Sequence, residues 1–313
     1  MDALSAVIDG IRLGDSRHLE LSLGDNQAVT LGSPGVAGFH ALVEGEAWYS
    51  TGDGLPCPFK PGELLLFSAG VAHRIFTGDP ATVTEHAMAP LLDVPMGRSR
   101  SRQLGDGPRR ALLLTGQFRV DALASERLSA TLPPVIHVRA NPLPPTWVIT
   151  GIRFIRDELG AEQPGNMVIL NRLMDITLVQ CVRYCLEHGL VAGRGWLAGL
   201  ADTALARALA GIHAQPARRW TLEALAREAG LSRAVFAARF RERVGETPMV
   251  YLTTVRMGLA RRMLRQTGLP LEQVARHCGY ESSQAFNRAF QRCVGESPGR
   301  YRRADAGVPA AVQ

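Results

Sequence analysis

The chain has 313 residues, 46% of them hydrophobic, with a net charge of +6, so two globular domains are the natural expectation. It contains no run of 18 apolar residues and no leader-like start, which excludes a membrane span or secretion as the expected class. Five cysteines at scattered spacings fit reduced thiols, and a cytoplasmic location, better than a disulfide framework.

Residues 1–145 read as β. Short apolar stretches at 19–23, 28–31, 38–43, 47–49, 63–67, 73–76, 82–88 and 111–114 lie between Gly, Pro and Asp clusters, a spacing that predicts a sandwich or barrel. Phe39-His40-Ala41-Leu42-Val43-Glu44-Gly45, followed by Gly62-Glu63-Leu64-Leu65-Leu66-Phe67-Ser68-Ala69-Gly70-Val71-Ala72-His73, resembles the two cupin motifs. A cupin-like β-barrel is therefore expected. His40 and His73, with His86 on a nearby strand, are the candidate pocket residues, and Glu46 is a candidate oxygen donor. A metal cupin enzyme normally carries His-x-His and a glutamate in its first motif, and Leu42 breaks that pattern here. Three readings stay open: a metal site, a small effector hydrogen-bonded by His40 and His73, or two structurally satisfied histidines. No cofactor is expected beyond that open metal question.

Residues 90–110 carry Arg98, Arg100, Arg102, Arg109 and Arg110 among Gly, Ser and Asp without periodicity, which predicts a mobile surface loop rather than a DNA-contacting arm. Cys57, between two prolines, is expected on a loop and is the candidate reactive thiol. From 146 to 189 the period becomes helical, first with Ile152, Ile155 and Leu159, then with Val168, Ile169, Leu173, Ile176, Val179, Val182 and Leu186. The second segment has more than one apolar stripe, so its surplus face packs either inside the chain or on a second subunit. Cys181 and Cys185 share one of its faces and read as buried small hydrophobes. Glycines in 190–199 predict a joint, residues 200–303 a second, all-α domain, and 304–313 a disordered tail.

The second domain contains a repeat. Leu222, Leu225, Ala226 and Gly230 recur 49 positions later as Leu271, Val274, Ala275 and Gly279. Phe236, Phe240, Val244 and Gly245-Glu246-Thr247-Pro248 recur 50 positions later as Phe286, Phe290, Val294 and Gly295-Glu296-Ser297-Pro298. A fixed period means a duplicated unit. Each copy reads as two helices and a tight turn: Thr221 and Ser232 cap the first pair, Ser282 or Ser283 the later helix, and Gly230 suits a left-handed helix end. This is a helix-turn-helix signature in duplicate. Residues 216–303 hold 17 Arg and 7 Glu, a net of +10, against +6 for the whole chain, and a basic block on an acidic body points to double-stranded DNA. The segment from Ala275 through Gly279-Tyr280, Ser283, Phe286, Arg288 and Phe290 to Gly295-x-Ser297-Pro298-x2-Tyr301-Arg302 is similar to the DNA-binding domain of AraC/XylS-type regulators.

That resemblance implies a sequence-specific transcriptional regulator whose cupin-like domain senses a small-molecule effector, and it is not an enzyme. It implies a homodimer held by the helices at 146–189, RNA polymerase as a further candidate partner, and no membrane. By the same resemblance Ala234, Ala237 and Ala238 occupy base-facing positions of the first recognition helix, flanked by the phosphate-contacting Arg233 and Arg241. On the second, Ser283, Gln284, Asn287 and Arg288 are exposed, and Gln and Arg can each make two hydrogen bonds to a base edge. A 19-residue helix at 248–266 spans roughly 28 Å at about 1.5 Å per residue, enough to set the pair in adjacent major grooves with some tilt or bending. The alternatives are a metal-dependent cupin enzyme fused to a DNA-targeting domain and a nonspecific architectural DNA binder.

Overall fold

The computed structural model describes residues 4, 13–52, 54–94, 100–120, 131–161, 163–191 and 193–306. Chain contacts divide it into two units between Ala192 and Gly193. The first holds eleven described strands: β1 Leu13–Leu23, β2 Gln27–Leu31, β3 Val36–Gly45, β4 Ala47–Thr51, β5 Cys57–Phe59, β6 Leu64–Phe67, β7 His73–Phe76, β8 Thr84–Ala87, β9 Ser101–Leu104, β10 Ala111–Val120 and β11 Val135–Val138. They form two sheets, ordered β11-β6-β3-β10-β1-β9 and β5-β4-β7-β2-β8, so the barrel takes its double-sheet form without closing its hydrogen-bond ladders. Alternation along each strand decides the faces. Leu19, Leu21, Leu23, Val29, Leu42, Leu65, Phe67, Ile75 and Leu113 fill one core.

The short α1 (Met88–Leu92) adds Met88 and Leu92 to that core, whereas two long helices, α2 (Thr146–Ala161) and α3 (Asn166–Glu187), cover the other face of the larger sheet and pack on β1, β10 and β11. They bury Val148, Ile155 and Leu159, and Leu170, Met174, Leu178, Cys181, Val182 and Cys185. Arg156 adds an ion pair to Glu20 at 3.2 Å. None of the described helices is long and apolar enough to cross a membrane.

Several expectations change here. The segment 90–110 is not one loop: its start continues α1, and β9 pairs in parallel with β1. Arg98 lies outside the described residues. Strand β9 escaped the sequence reading because its residues are mostly polar and none is fully buried, so ladder hydrogen bonds rather than hydrophobic alternation hold it. Cys57 is not in a loop but starts β5, opposite Tyr49.

The second unit is helical: α4 Trp196–Ala201, α5 Thr203–Ala214, α6 Leu222–Ala229, α7 Arg233–Val244, α8 Pro248–Gln266, α9 Leu271–His277, α10 Ser283–Val294 and α11 Pro298–Ala306. The joint expected through 199 stops at Gly195, because Trp196, Leu197, Ala198 and Gly199 are buried in α4. A Cβ on Gly199 would stand 2.8 Å from Val244 Cγ2, which shows how closely α4 approaches α7. The tail expected to be disordered from 304 is helical as far as Ala306, and 307–313 lie outside the described residues.

Candidate nucleic-acid interface and ligand cleft

The repeat in the sequence is a repeat of caps and turns in space. Ser232 and Ser282 occupy the same place before α7 and α10, each hydroxyl accepting from a backbone N–H three residues on, Val235 at 3.4 Å and Ala285 at 3.2 Å. Gly230 and Gly279 take φ of 69° and 77° in the turns, a region open to glycine at little strain, and Gly245 and Gly295 close the recognition helices at 90° and 88°. Thr247 and Ser297 then cap α8 and α11 through Val250 and Arg300. Of the two candidate caps for the second recognition helix, the structure uses Ser282. The copies differ at the entry helix: Thr221 caps α6, whereas Pro270 precedes α9 with no side-chain cap.

Phe236, Phe240 and Val244 turn α7 inward, and Phe286, Phe290 and Ala289 do so for α10. The second copy is sealed by Met257, Ala260 and Leu264 from α8 and by Tyr301, and the Arg261 and Arg265 guanidinium groups lie over the Tyr301 ring at 5.4 and 5.0 Å. What remains outward differs between copies. On α7, Arg233, Ala234, Ala238 and Arg241 are exposed and Ala237 is half-buried. Arg233 is paired with Glu223 at 3.1 Å, and the neighbouring Arg239 with Asp202 at 2.5 Å. Val235 is exposed too, an apolar group that the sequence reading passed over. On α10, Gln284, Asn287 and Arg288 are exposed and Ser283 is half-buried. Among the described residues none of the Gln284, Asn287 and Arg288 side chains has a polar partner.

In the first unit, β3 and β7 bring His40 and His73 together. Their Nε2 atoms are 3.0 Å apart, and both rings are buried. Their partners assign the tautomers. The Val71 carbonyl, 2.8 Å from His73 Nδ1, can only accept, so that nitrogen donates and His73 Nε2 is left as an acceptor. His40 Nε2 therefore donates to it, and His40 Nδ1 accepts from the Thr115 hydroxyl at 2.7 Å. Both rings are spent on protein partners. Burial, and next the neighbouring His73, hold His40 far below its ordinary range, and burial takes His73 down to about 4. His73 also stacks on Phe67 at 3.5 Å. Gly38 leaves room for the pair, since a Cβ there would lie 3.2 Å from His73 Cε1.

His86 does not join them. It sits on β8 opposite Val29, half-buried, and its Nε2 meets Gln27 Oε1 at 2.9 Å. Glu46 is exposed at the junction between β3 and β4, beyond the end of the strand that carries His40. Among the described residues no three His, Cys, Asp or Glu side chains are grouped to hold a metal. Beside His73 opens a cleft of about 330 Å³, bordered by Thr30, Val36, Val71, Met88 and Gln117. Sequence patterning gave no signal for Gln117, because only the pairing of β10 with β3 sets it opposite Gly38.

A second buried chain lies elsewhere in the unit. Glu63 accepts from the Lys60 and Ala140 backbone N–H groups at 3.0 and 3.2 Å and from His137 Nε2 at 2.8 Å. His137 Nδ1 then accepts from the Tyr49 hydroxyl at 3.3 Å. The thiols of Cys181, Cys185 and Cys278 are buried and pushed up by that burial, Cys185 to about 11 and Cys278 to about 12, which makes them unreactive.

Comparison with known proteins covers both units. The cupin family profile matches residues 2–187, and a helix-turn-helix domain profile matches residues 225–304. The HTH-type transcriptional regulator AlkR of Acinetobacter baylyi is 31% identical over 96% of this chain and 99% of its own. A Streptomyces lividans protein described as an AraC-like transcription regulator is 34% identical over 97% and 98%. Among solved structures, the DNA-binding domain of AdpA in complex with a target DNA is 32% identical, covering 35% of this chain and 99% of that one, with a TM-score of 0.33.

Proposed function

Because this chain belongs to the AraC-type transcriptional regulators, with a cupin domain ahead of the helix-turn-helix domain, we propose that it recognises its DNA site chiefly through α10 and holds on through α7. The chain is a DNA-binding transcriptional regulator. The observation that carries the division of labour is the inequality of the two exposed faces. Alanines 234, 237 and 238 offer only methyl groups, which touch a thymine methyl but form no hydrogen bond, and Arg233 is already paired. Gln284, Asn287 and Arg288 are exposed and unpartnered among the described residues. Gln and Asn suit adenine and Arg suits guanine, each through two hydrogen bonds.

Selection from random DNA with the purified protein tests this. The expected motif has its sharper half under α10, and a sharper half under α7 overturns the assignment. Selected sequences without a shared motif would instead mark an architectural binder.

The protein acts as a dimer on adjacent sites, and its cupin domain receives a small-molecule effector. Support for the dimer comes from the outer side of α3, where Ile169 and Ile176 are exposed with the half-buried Leu173 between them at helical spacing. Linked heads raise the local concentration of the second head at its site.

A further inference from the structure

We propose that the cleft beside the histidine pair is the effector site and that it takes an uncharged molecule with an apolar body and a single hydroxyl, carbonyl or amide group. This rests on the reading of the cupin unit as a sensor, and narrows it to a ligand class.

Among the described residues the lining contains no Lys, Arg, Asp or Glu. An ion entering it would give up its water and meet no counter-charge. His73, the one titratable side chain at the cleft among the described residues, supplies neither charge nor a free hydrogen-bonding atom. Its Nδ1 is spent on Val71 and its Nε2 on His40, and one ring face is covered by Phe67, so it borders the cleft as a ring edge. Burial keeps that ring neutral at physiological pH. The apolar wall comes from Leu31, Val36, Val71 and the buried, adaptable Met88.

Polar recognition falls to Gln117, because the Ser33 hydroxyl in the lining is on an exposed residue and already hydrated. Its amide is half-buried on β10 with no hydrogen-bond partner among the described residues, and it offers one acceptor and two donors. Such a group reads a neutral hydroxyl, carbonyl or amide. Thr30 is less available, since its hydroxyl already reaches the His86 carbonyl at 3.4 Å. At about 330 Å³ the space falls near the lower end of small-molecule pockets, so the body is small.

Calorimetric titration of the full-length protein at neutral pH with matched probes tests the proposal: hexanamide against hexanoate, and 1-hexanol against hexylammonium. The neutral member of each pair is expected to bind about ten-fold tighter or better. Gln117→Leu is expected to weaken hexanamide and 1-hexanol about ten-fold. Ala87→Trp, at the exposed rim, is expected to block both while leaving far-UV circular dichroism and DNA binding as they were. Equal or tighter binding of the ions, neutral binding untouched by both variants, or no neutral binding up to millimolar concentration would each overturn it. DNA selection reads the C-terminal unit alone, so a failure here is distinguishable from a failure of the regulator reading.

Discussion

Asn287 and Arg288 stand where the first copy of the repeat has Ala237 and Ala238, and this exchange of methyl groups for hydrogen-bonding groups is where readout is expected to diverge. Arg288→Ala is expected to remove about 1–3 kcal/mol of discrimination at one base pair while leaving the others intact. Arg241→Ala is expected to weaken all sequences alike and to flatten the plot of log affinity against log salt by about 1. Fluorescence anisotropy on single-base operator variants across a salt series separates the two; a uniform loss for Arg288→Ala would rule it out as a base reader. In the cupin unit His73 sets a pH dependence. Its folded value of about 4 lies below the ordinary 6.5, so between those values the unfolded chain binds more protons. Its stabilising contribution is complete above pH 6.5 and is lost as pH falls toward 4. His18, held near 3 by burial and then by Arg100, pushes the same way. His73→Gln keeps an acceptor for His40, so its urea midpoint should fall less than that of the parent between pH 7 and pH 5. Identical falls would remove His73 from the account.

At the scale of elements, α4 is the clearest departure from what the sequence suggested. The glycines of 190–199 read as a joint, yet Gly199 is buried against α5 and α7, with a Cβ there placed 2.8 Å from Val244 and 3.0 Å from Leu209. The sign of one substitution decides between the two. In a free helix Gly199→Ala would stabilise by about 0.5–1 kcal/mol. In this packed position overfilling is expected to destabilise by about 1–3 kcal/mol, read as a lower urea midpoint of the C-terminal unit. The same limit hid β9 and placed Cys57 in a loop. A polar edge strand and a three-residue strand carry too little alternation to announce themselves. By contrast α8 has the bounds expected for it, 248 to 266, because Thr247 caps it, Pro248 suits its first turn, and Thr267 ends it in extended backbone.

For the whole molecule, the dimer is the quantity to test. Ile169→Glu combined with Ile176→Glu puts charge on the exposed side of α3 without entering the buried face of Leu170, Met174 and Leu178. Sedimentation should show a monomer, and affinity for a two-site operator should fall by about 10²–10⁴-fold while affinity for one half-site stays level. A dimer that survives the double substitution would place the interface elsewhere.

The sequence by itself determined the DNA-binding fold, down to the turn glycines and the caps Thr221 and Ser232 of the first copy, and left only the choice of Ser282 over Ser283 in the second to the structure. Every signal that specifies a helix-turn-helix is local: a cap, a stripe at 3.6-residue spacing, and a glycine at the turn, all repeated 49 or 50 positions apart. It also marked His40 and His73 as a pair, through the cupin-like motifs. Only the tertiary structure decided what surrounds them. His40 and His73 are 33 residues apart, His40 and Thr115 are 75 apart, and Glu63 and His137 are 74 apart. Those meetings depend on the register between strands distant in the chain, and a shift of one residue would turn each side chain to the opposite face. For that reason His86 was grouped with the pair from sequence and stands apart from it in space, while Gln117 was invisible until β10 was laid beside β3.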